Sequence, residues 1–310
     1  MLHVLVLGAA AGGGLPQWNC NCPVCNAARK RVPSLRSTQA SIAISADGDN
    51  WFVINAAPDL RQQITDNPKL HPRHGMRDSP IAGVVLTNGD VDAVAGLLNL
   101  REGQPFTIYA HDRILGVLRE NSIFNVLNPV LVGRQAVELE RPFALELPDG
   151  TDSGIEVVAF PVPGKVALYL EDETDAAHGF GTAVGDTLGL HIRDRASGAY
   201  FYYLTACATL TPELAERISG APLVFFDGTL WRDDEMISGG LSQKTGQRMG
   251  HMSMSGATGT IAAFADLGVD RKIFLHINNS NPALLPESAE HAELKRAGWE
   301  IPYDGMELTV

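Results

Sequence analysis

Short apolar runs, broken by polar or glycine-rich stretches, set the rhythm of this chain. Residues 2–7, 81–86, 106–110, 155–162, 223–226 and 272–277 read as strands, and runs without polar alternation as strands covered on both faces. Residues 41–45 and 51–55 flank Asp47-Gly48-Asp49-Asn50, a turn sequence, and predict a hairpin. Residues 188–192 and 200–204 predict a second strand pair, and 299–302 and 306–310 two closing strands. Helices are expected over 58–64, 92–100, 113–124, 212–218, 257–267 and 288–297, the last stopped by Gly298. Strands come early and late in each half with helices between them, which predicts two sheets packed face to face with helices outside. The polar, glycine-containing stretch 172–181 reads as a flexible loop or lid.

No low-complexity segment or long linker interrupts the 310 residues, and 45% of them are hydrophobic, enough for a sizeable core. The expectation is one domain over residues 1–310. A net charge of −12 disfavours nucleic acid, whose phosphates draw most of their affinity from Lys and Arg. The first residues lack the basic region of a signal peptide, and their apolar run is too short to span a bilayer. Three of the four cysteines cluster, so there is no disulfide framework. A cytoplasmic protein without a membrane partner is expected.

Chemistry enters with Cys20-Asn21-Cys22-Pro23-Val24-Cys25. Three thiolates this close can wrap one tetrahedral zinc ion, with a fourth ligand from elsewhere, but cannot easily pair as disulfides. Four protein ligands would close that site, so it is expected to staple the fold. The glycine loop 8–14 follows a strand but lacks G-x-G-x-x-G and meets Pro16, so a turn leading to the knuckle is the better reading. A second signal lies in Asn88-Gly89-Asp90-Val91-Asp92-Ala93, between a strand and a helix. Two close carboxylates repel unless a cation or proton sits between them. Metal binding and helix capping both remain open for Asp90 and Asp92. Cys207 reads as a small buried residue.

That hexad, with Gly96-Leu97 after it, resembles the H-x-H-x-D-H frame of the metallo-β-lactamase superfamily, with only Asp92 unchanged. The knuckle and the ending Tyr303-Asp304-Gly305-Met306-Glu307-Leu308 resemble the branch containing the phosphodiesterases of phosphonate breakdown. A fuller likeness spans nearly the whole chain. Residues 12–20 and 57–64, Val162-Pro163-Gly164-Lys165-Val166, Phe226-Asp227-Gly228-Thr229, Met249-Gly250-His251-Met252 and 276–282 resemble the pyrroloquinoline quinone (PQQ) biosynthesis protein B family.

The resemblance implies an α/β fold, an αβ/βα four-layer sandwich of metallo-β-lactamase type with metal at the sheet edges. It implies PQQ biosynthesis by Fe(II)- and O2-dependent hydroxylation of the tyrosine ring in a peptide-derived Glu–Tyr intermediate. The second reading is a non-catalytic carrier for PQQ or its precursor; a homodimer fits either. By position, Asp90, Asp92 and His276 would hold iron, and His251 would be a further ligand or an acid–base group. Close relatives carry His where this chain has Ala93, so one imidazole ligand is lost and weaker iron binding is expected. Arg61 and Lys165 are expected to meet substrate carboxylates, with Asn88 also on the substrate side. Asn279 stands where related enzymes place the fourth zinc ligand, a His. Pro163 and Ala206 or Cys207 replace the superfamily's downstream His and bridging Asp, which opposes two-metal phosphodiester hydrolysis.

Overall fold

The described residues of the computed structural model, 1–30 and 35–310 with 176–178 limited to their backbone, form two seven-stranded sheets. The first contains β1 (His3–Gly8), β2 (Ser41–Ser45), β3 (Trp51–Ile54), β4 (Ile81–Val85), β5 (Phe106–Ala110) and β6 (Val132–Ala136). The second contains β7 (Pro142–Glu146), β8 (Asp152–Pro161), β9 (Leu188–Asp194), β10 (Tyr200–Leu204), β11 (Leu223–Asp227), β12 (Arg271–Leu275) and β13 (Trp299–Glu300). The chain then returns to the first sheet as β14 (Glu307–Thr309), giving the order β14-β1-β2-β3-β4-β5-β6 beside β7-β8-β9-β10-β11-β12-β13. In these orders, each sheet is antiparallel through its first three pairings and parallel through its last three. The halves therefore repeat one architecture.

Helices α1 (Pro23–Lys30), α2 (Leu60–Asp66), α3 (Val91–Val94), α4 (Asp112–Glu120), α5 (Pro212–Ile218), α6 (Glu235–Ser238), α7 (Gly246–Met249), α8 (Thr260–Ala263) and α9 (Ala289–Arg296) complete an αβ/βα sandwich. Between the sheets, Val4, Ile44, Phe52 and Ile108 meet Ile155, Leu190, Phe201, Phe225 and Ile273 in one core. Burying each such side chain is worth about 1.5–3 kcal/mol before entropy is subtracted. A second cluster covers the other face of the second sheet, where Phe274 stacks on Trp299 with ring centroids 3.8 Å apart. The β2–β3 hairpin closes as expected: Asp47 accepts the Asp49 and Asn50 N–H groups, each at 2.8 Å.

Several boundaries differ from the sequence reading, each for a local reason. The helix expected over 92–100 is α3 followed by a tighter 3-10 stretch, Ala95–Leu100. Gly96 donates to Ala56 O at 2.8 Å and lies so close that a Cβ would sit 2.1 Å from Ala57 O. The helix expected over 257–267 shrinks to α8, because Thr260 and Ile261 donate back to the Ser253 and Met254 carbonyls. Edge strands β6 and β7 lack a continuous apolar run and escaped notice, as did α1, whose first residue is Pro23. Segment 172–181 contains a 3-10 turn, Glu173–His178; the side chains of 176–178 lie outside the described residues. Among the described residues, no helix is long and apolar enough to cross a membrane.

Candidate metal centre

Parallel strands end together where their loops can converge, the usual address of a site in an open α/β sheet. Here the loops after β4, β10, β11 and β12 line a cavity of about 740 Å³, whose wall includes Gly12, Asp92, Thr229, His251 and His276. A polar contact through Thr87, the residue before the cavity-lining Asn88, joins the two sheets. Asn55, at the end of β3, accepts from Thr87 N at 2.9 Å and reaches the Tyr203 hydroxyl at 3.5 Å.

His276 follows β12 with φ +57°, a left-handed backbone that costs a non-glycine residue about 1–3 kcal/mol and persists only when its surroundings enforce it. Ile277 N–H donates to Ala9 O at 2.9 Å and Ile277 O accepts from Ala11 N at 2.8 Å, so the loop after β1 enforces it. That loop also presses Gly12 against Asp92, where a Cβ would lie 3.5 Å from Oδ2. Asp92 and His276, 184 residues apart, then meet at 2.9 Å through Oδ2 and Nε2.

Behind the imidazoles stand Asp227, fully buried, and Thr229. Asp227 Oδ1 accepts from Thr229 N (3.0 Å) and Thr229 Oγ1 (2.7 Å), and Oδ2 accepts from Cys207 N (2.9 Å) and His251 Nδ1 (2.6 Å). His276 Nδ1 lies 2.9 Å from Thr229 Oγ1. Both rings thus rest their Nδ1 on one Asp–Thr platform, roughly stacked with centroids 5.1 Å apart. A hydrogen bond at one ring nitrogen sets the tautomer that leaves the other free as a ligand. Asp227 offers a carboxylate oxygen within 4.8 Å of both imidazoles, and its two oxygens are already engaged in four hydrogen bonds, which suits it to supporting the rings.

The charges agree with a cation site. For His276, burial opposes the imidazolium, but the Asp92 hydrogen bond and the Asp92, Asp227 and Asp90 charges raise its pKa overall. Burial pushes Asp92 upward, yet its bond to His276 and the His276 and His251 charges bring it below the usual carboxylate range. Asp90 moves the other way, raised by burial and then by the Asp92 charge. Its Oδ1 accepts from Leu168 N at 3.1 Å. Asp90 occupies the N-cap position of α3 without a side-chain cap bond, so capping does not explain it. It is also outside the cluster around His276.

The cysteines form a separate cluster, their Sγ atoms within 4.8 Å of one another. Cys22 N approaches Cys20 Sγ at 3.5 Å, and Cys25 N approaches Cys22 Sγ at 3.4 Å. Asn279 closes the open side, with Nδ2 3.2 Å from Cys25 Sγ and its carbonyl 3.5 Å from Cys22 Sγ. Burial pushes the Cys22 thiol up to about 12, whereas a metal-bound thiol loses its proton outright. Donor type and spacing fit zinc.

Residues 50–277 match the family model described as Beta-lactamase superfamily domain. Coenzyme PQQ synthesis protein B of Rhodopseudomonas palustris (strain TIE-1) is 61% identical over 311 residues, covering 100% of both chains. The chain belongs to the coenzyme PQQ synthesis protein B family. A Bradyrhizobium diazoefficiens member is 58% identical over 311 residues, again 100% of both. The crystal structure of Zn2+-bound PqqB from Methylobacterium extorquens is 47% identical, with TM-score 0.92 over 99% of this chain and 100% of that one.

Within this PQQ synthesis protein B fold, the expected site residues divide. Asn88, Asp90, Asp92, Lys165, His251 and His276 all line the cavity. Arg61 does not: α2 buries Leu60 and Gln63, which leaves Arg61 on its solvent face, outside the cavity wall. Ala93 is buried in the core beside Asp92, its carbonyl accepting from Ala56 N at 2.7 Å. Asp227 and Thr229 had no role in the sequence reading, although Phe226-Asp227-Gly228-Thr229 follows an apolar strand and carries the signal.

Proposed function

We propose that the chain serves PQQ synthesis as a metal-dependent hydroxylase of a tyrosyl ring in a peptide-derived Glu–Tyr intermediate. The observation that carries this reading is the pair of imidazoles backed by one Asp227–Thr229 platform, with Asp92 on the cavity side of His276. Asp92, bonded to His276 at 2.9 Å, would join His251 and His276 in a two-imidazole, one-carboxylate donor set, the type that suits non-haem Fe(II) in oxygenases. Those three side chains would hold the iron, which when bound supplies the redox chemistry that O2 requires. Cys20, Cys22, Cys25 and Asn279 would hold a structural zinc.

The remaining work falls to the chain's own groups. Asp227 and Thr229 keep both Nδ1 positions engaged, which fixes ring orientation and leaves the far nitrogens facing the cavity. Asp92 stays ionised, while Asp90, raised in pKa and tied to Leu168 N, is suited to hold a proton at the rim. A two-metal hydrolase would need a bridging carboxylate, and Asp227 is saturated by hydrogen bonds. The carrier reading has one observation in its favour, the methyl group at Ala93 where the resemblance leads one to expect an imidazole.

The test is anaerobic Fe(II) reconstitution followed by oxygen uptake with a Glu–Tyr peptide and an added two-electron reductant such as ascorbate, which reduces the second oxygen atom to water. Oxygen consumed in step with single-oxygen mass increments on the tyrosyl ring supports the hydroxylase. Tight PQQ binding without iron-dependent oxygen uptake would favour the carrier.

A further inference from the structure

At the cavity rim, three cations converge on one carboxylate. Glu171 accepts from Lys165 Nζ at 2.8 Å and from Arg248 through both nitrogens, at 3.1 and 2.7 Å, while Lys244 Nζ lies 3.7 Å away. Glu171 is 6% exposed, whereas Lys165, Lys244 and Arg248 remain 19%, 39% and 27% exposed. The cluster carries three positive charges against one negative, in a chain whose net charge is −12. The other acids near it are Asp90, across the cavity from Lys165, and Glu173, near Arg248. Lys165 and Lys244 line the same cavity as Asp92 and His276. The Arg248 guanidinium lies over the Phe180 ring at 3.4 Å, which fixes its plane.

All three cations bear on the one buried carboxylate, while Asp90 acts on Lys165 and Glu173 on Arg248, which leaves Lys244 as the cation least matched by acids. Glu171 belongs to a strap that crosses the cavity mouth, where Leu168 N–H donates to Asp90 and the Tyr169 hydroxyl donates to Gly89 O at 2.7 Å. The strap presents half-exposed Leu168 and Tyr169 to solvent at that mouth. An arriving carboxylate would meet Lys165 and Lys244 first and share or take over the guanidinium that Glu171 now holds.

We infer that Lys165, Lys244 and Arg248 form a carboxylate-recognition subsite, with Glu171 as its resident internal anion. Its ligand is an aromatic amino-acid derivative bearing a further, non-reacting carboxylate. This rests on the hydroxylase reading only for the identity of the aromatic group. The subsite supplies orientation: it pulls a side-chain acid to the rim and leaves the ring to reach the metal-binding floor.

The test uses full-length protein that keeps its knuckle zinc but receives no Fe(II), so hydroxylation need not occur for the result to be read. Calorimetric titration compares glutamyl-tyrosine with glutaminyl-tyrosine at low and high salt. The acid is expected to bind about tenfold more tightly, the worth of one charge-assisted contact, and to lose that advantage at high salt. Lys244→Met should remove most of the difference while leaving the amide's affinity unchanged. Glu171→Gln gives the deciding sign: release of the resident anion should tighten the acid, whereas a purely structural clamp would weaken both ligands alike. Equal affinities for acid and amide in the unaltered protein would overturn the subsite. So would competition by inorganic phosphate as strong as that by glutamate, which would mark a general anion hole. Oxygen uptake that fails while these preferences hold would sink the hydroxylase and spare the subsite.

Discussion

The cysteine knuckle and the imidazole cleft are built in opposite ways, although Asn279 of one and His276 of the other stand three residues apart. The knuckle takes its thiols from six consecutive residues, and their spacing alone brings the sulfurs together. The cleft draws Asp92 from α3, Asp227 from the end of β11, His251 from just after α7 and His276 from just after β12, so the whole sandwich must form first. A local cluster can organise before the fold is complete; a dispersed one inherits its geometry from the fold. The two are joined by one short segment, in which Ile277 is clamped to Ala9 and Ala11 while His276 keeps a left-handed backbone. The knuckle therefore anchors the stretch that aims His276.

The largest effect should come from breaking the knuckle. Zinc held at roughly 1,000 times its dissociation constant would stabilise the fold by about 4 kcal/mol. Cys25→Ser should lower zinc content to near zero, and the melting temperature should fall by several degrees. If the regions are coupled as described, Fe(II) affinity at the cleft falls as well. Unchanged cleft affinity in a still-folded Cys25→Ser protein would mean that the clamp on Ile277 suffices without the metal.

Breaking the platform tests the cleft from its other side. In Asp227→Asn, one carboxylate oxygen becomes an NH2 group facing N–H donors, and His251 loses its charged anchor. The cost should be about 1–3 kcal/mol in stability and about 10–100-fold in metal affinity. Co(II) titration followed by absorption reads the affinity, and thermal melting reads the fold. Affinity that survives while stability drops would reduce Asp227 to a structural residue.

A smaller effect concerns the rim. Glu171 sits near a pKa of about 2, first because of its Arg248 hydrogen bonds and then because Lys165 and Lys244 outweigh the cost of burial. Its folded pKa is depressed, so its stabilisation is present above the ordinary carboxylate pKa of about 4.3 and is lost as pH falls toward 2. The amount is on the order of 2 kcal/mol. Melting curves of the unaltered protein and Glu171→Gln should differ at pH 6, draw together as pH falls from about 4 and converge only below about pH 2. A constant gap across that range would remove the charge explanation.

Legibility in the sequence followed the same divide. The three cysteines were readable because their chemistry is contiguous, and the central strands because continuous apolar runs allow few alternatives. Asp92 stood out from the spacing of two close carboxylates, His276 was named through resemblance, and the fold brings them to 2.9 Å. Asp227 and Thr229 were passed over because they face the backs of the imidazoles, and their partners lie 22 to 47 residues along the chain. Arg61 failed for the converse reason: a positive side chain has suitable chemistry anywhere, but its address depends on how α2 is turned.

The last test sharpens the comparison within the cleft. Ala93 follows Asp92 in α3 with its side chain in the core, so the helix already spends that position on packing. An imidazole there would add a donor beside Asp92 at the cost of displacing core neighbours. Ala93→His should therefore strengthen Fe(II) binding by about tenfold, a single ligand's increment damped by repacking. Stability should fall by about 1 kcal/mol or more, in line with overfilled cores. Anaerobic titration and melting of the pair read both quantities. Equal affinity would mean that Asp92, His251 and His276 already complete the donor set and that position 93 belongs to the core.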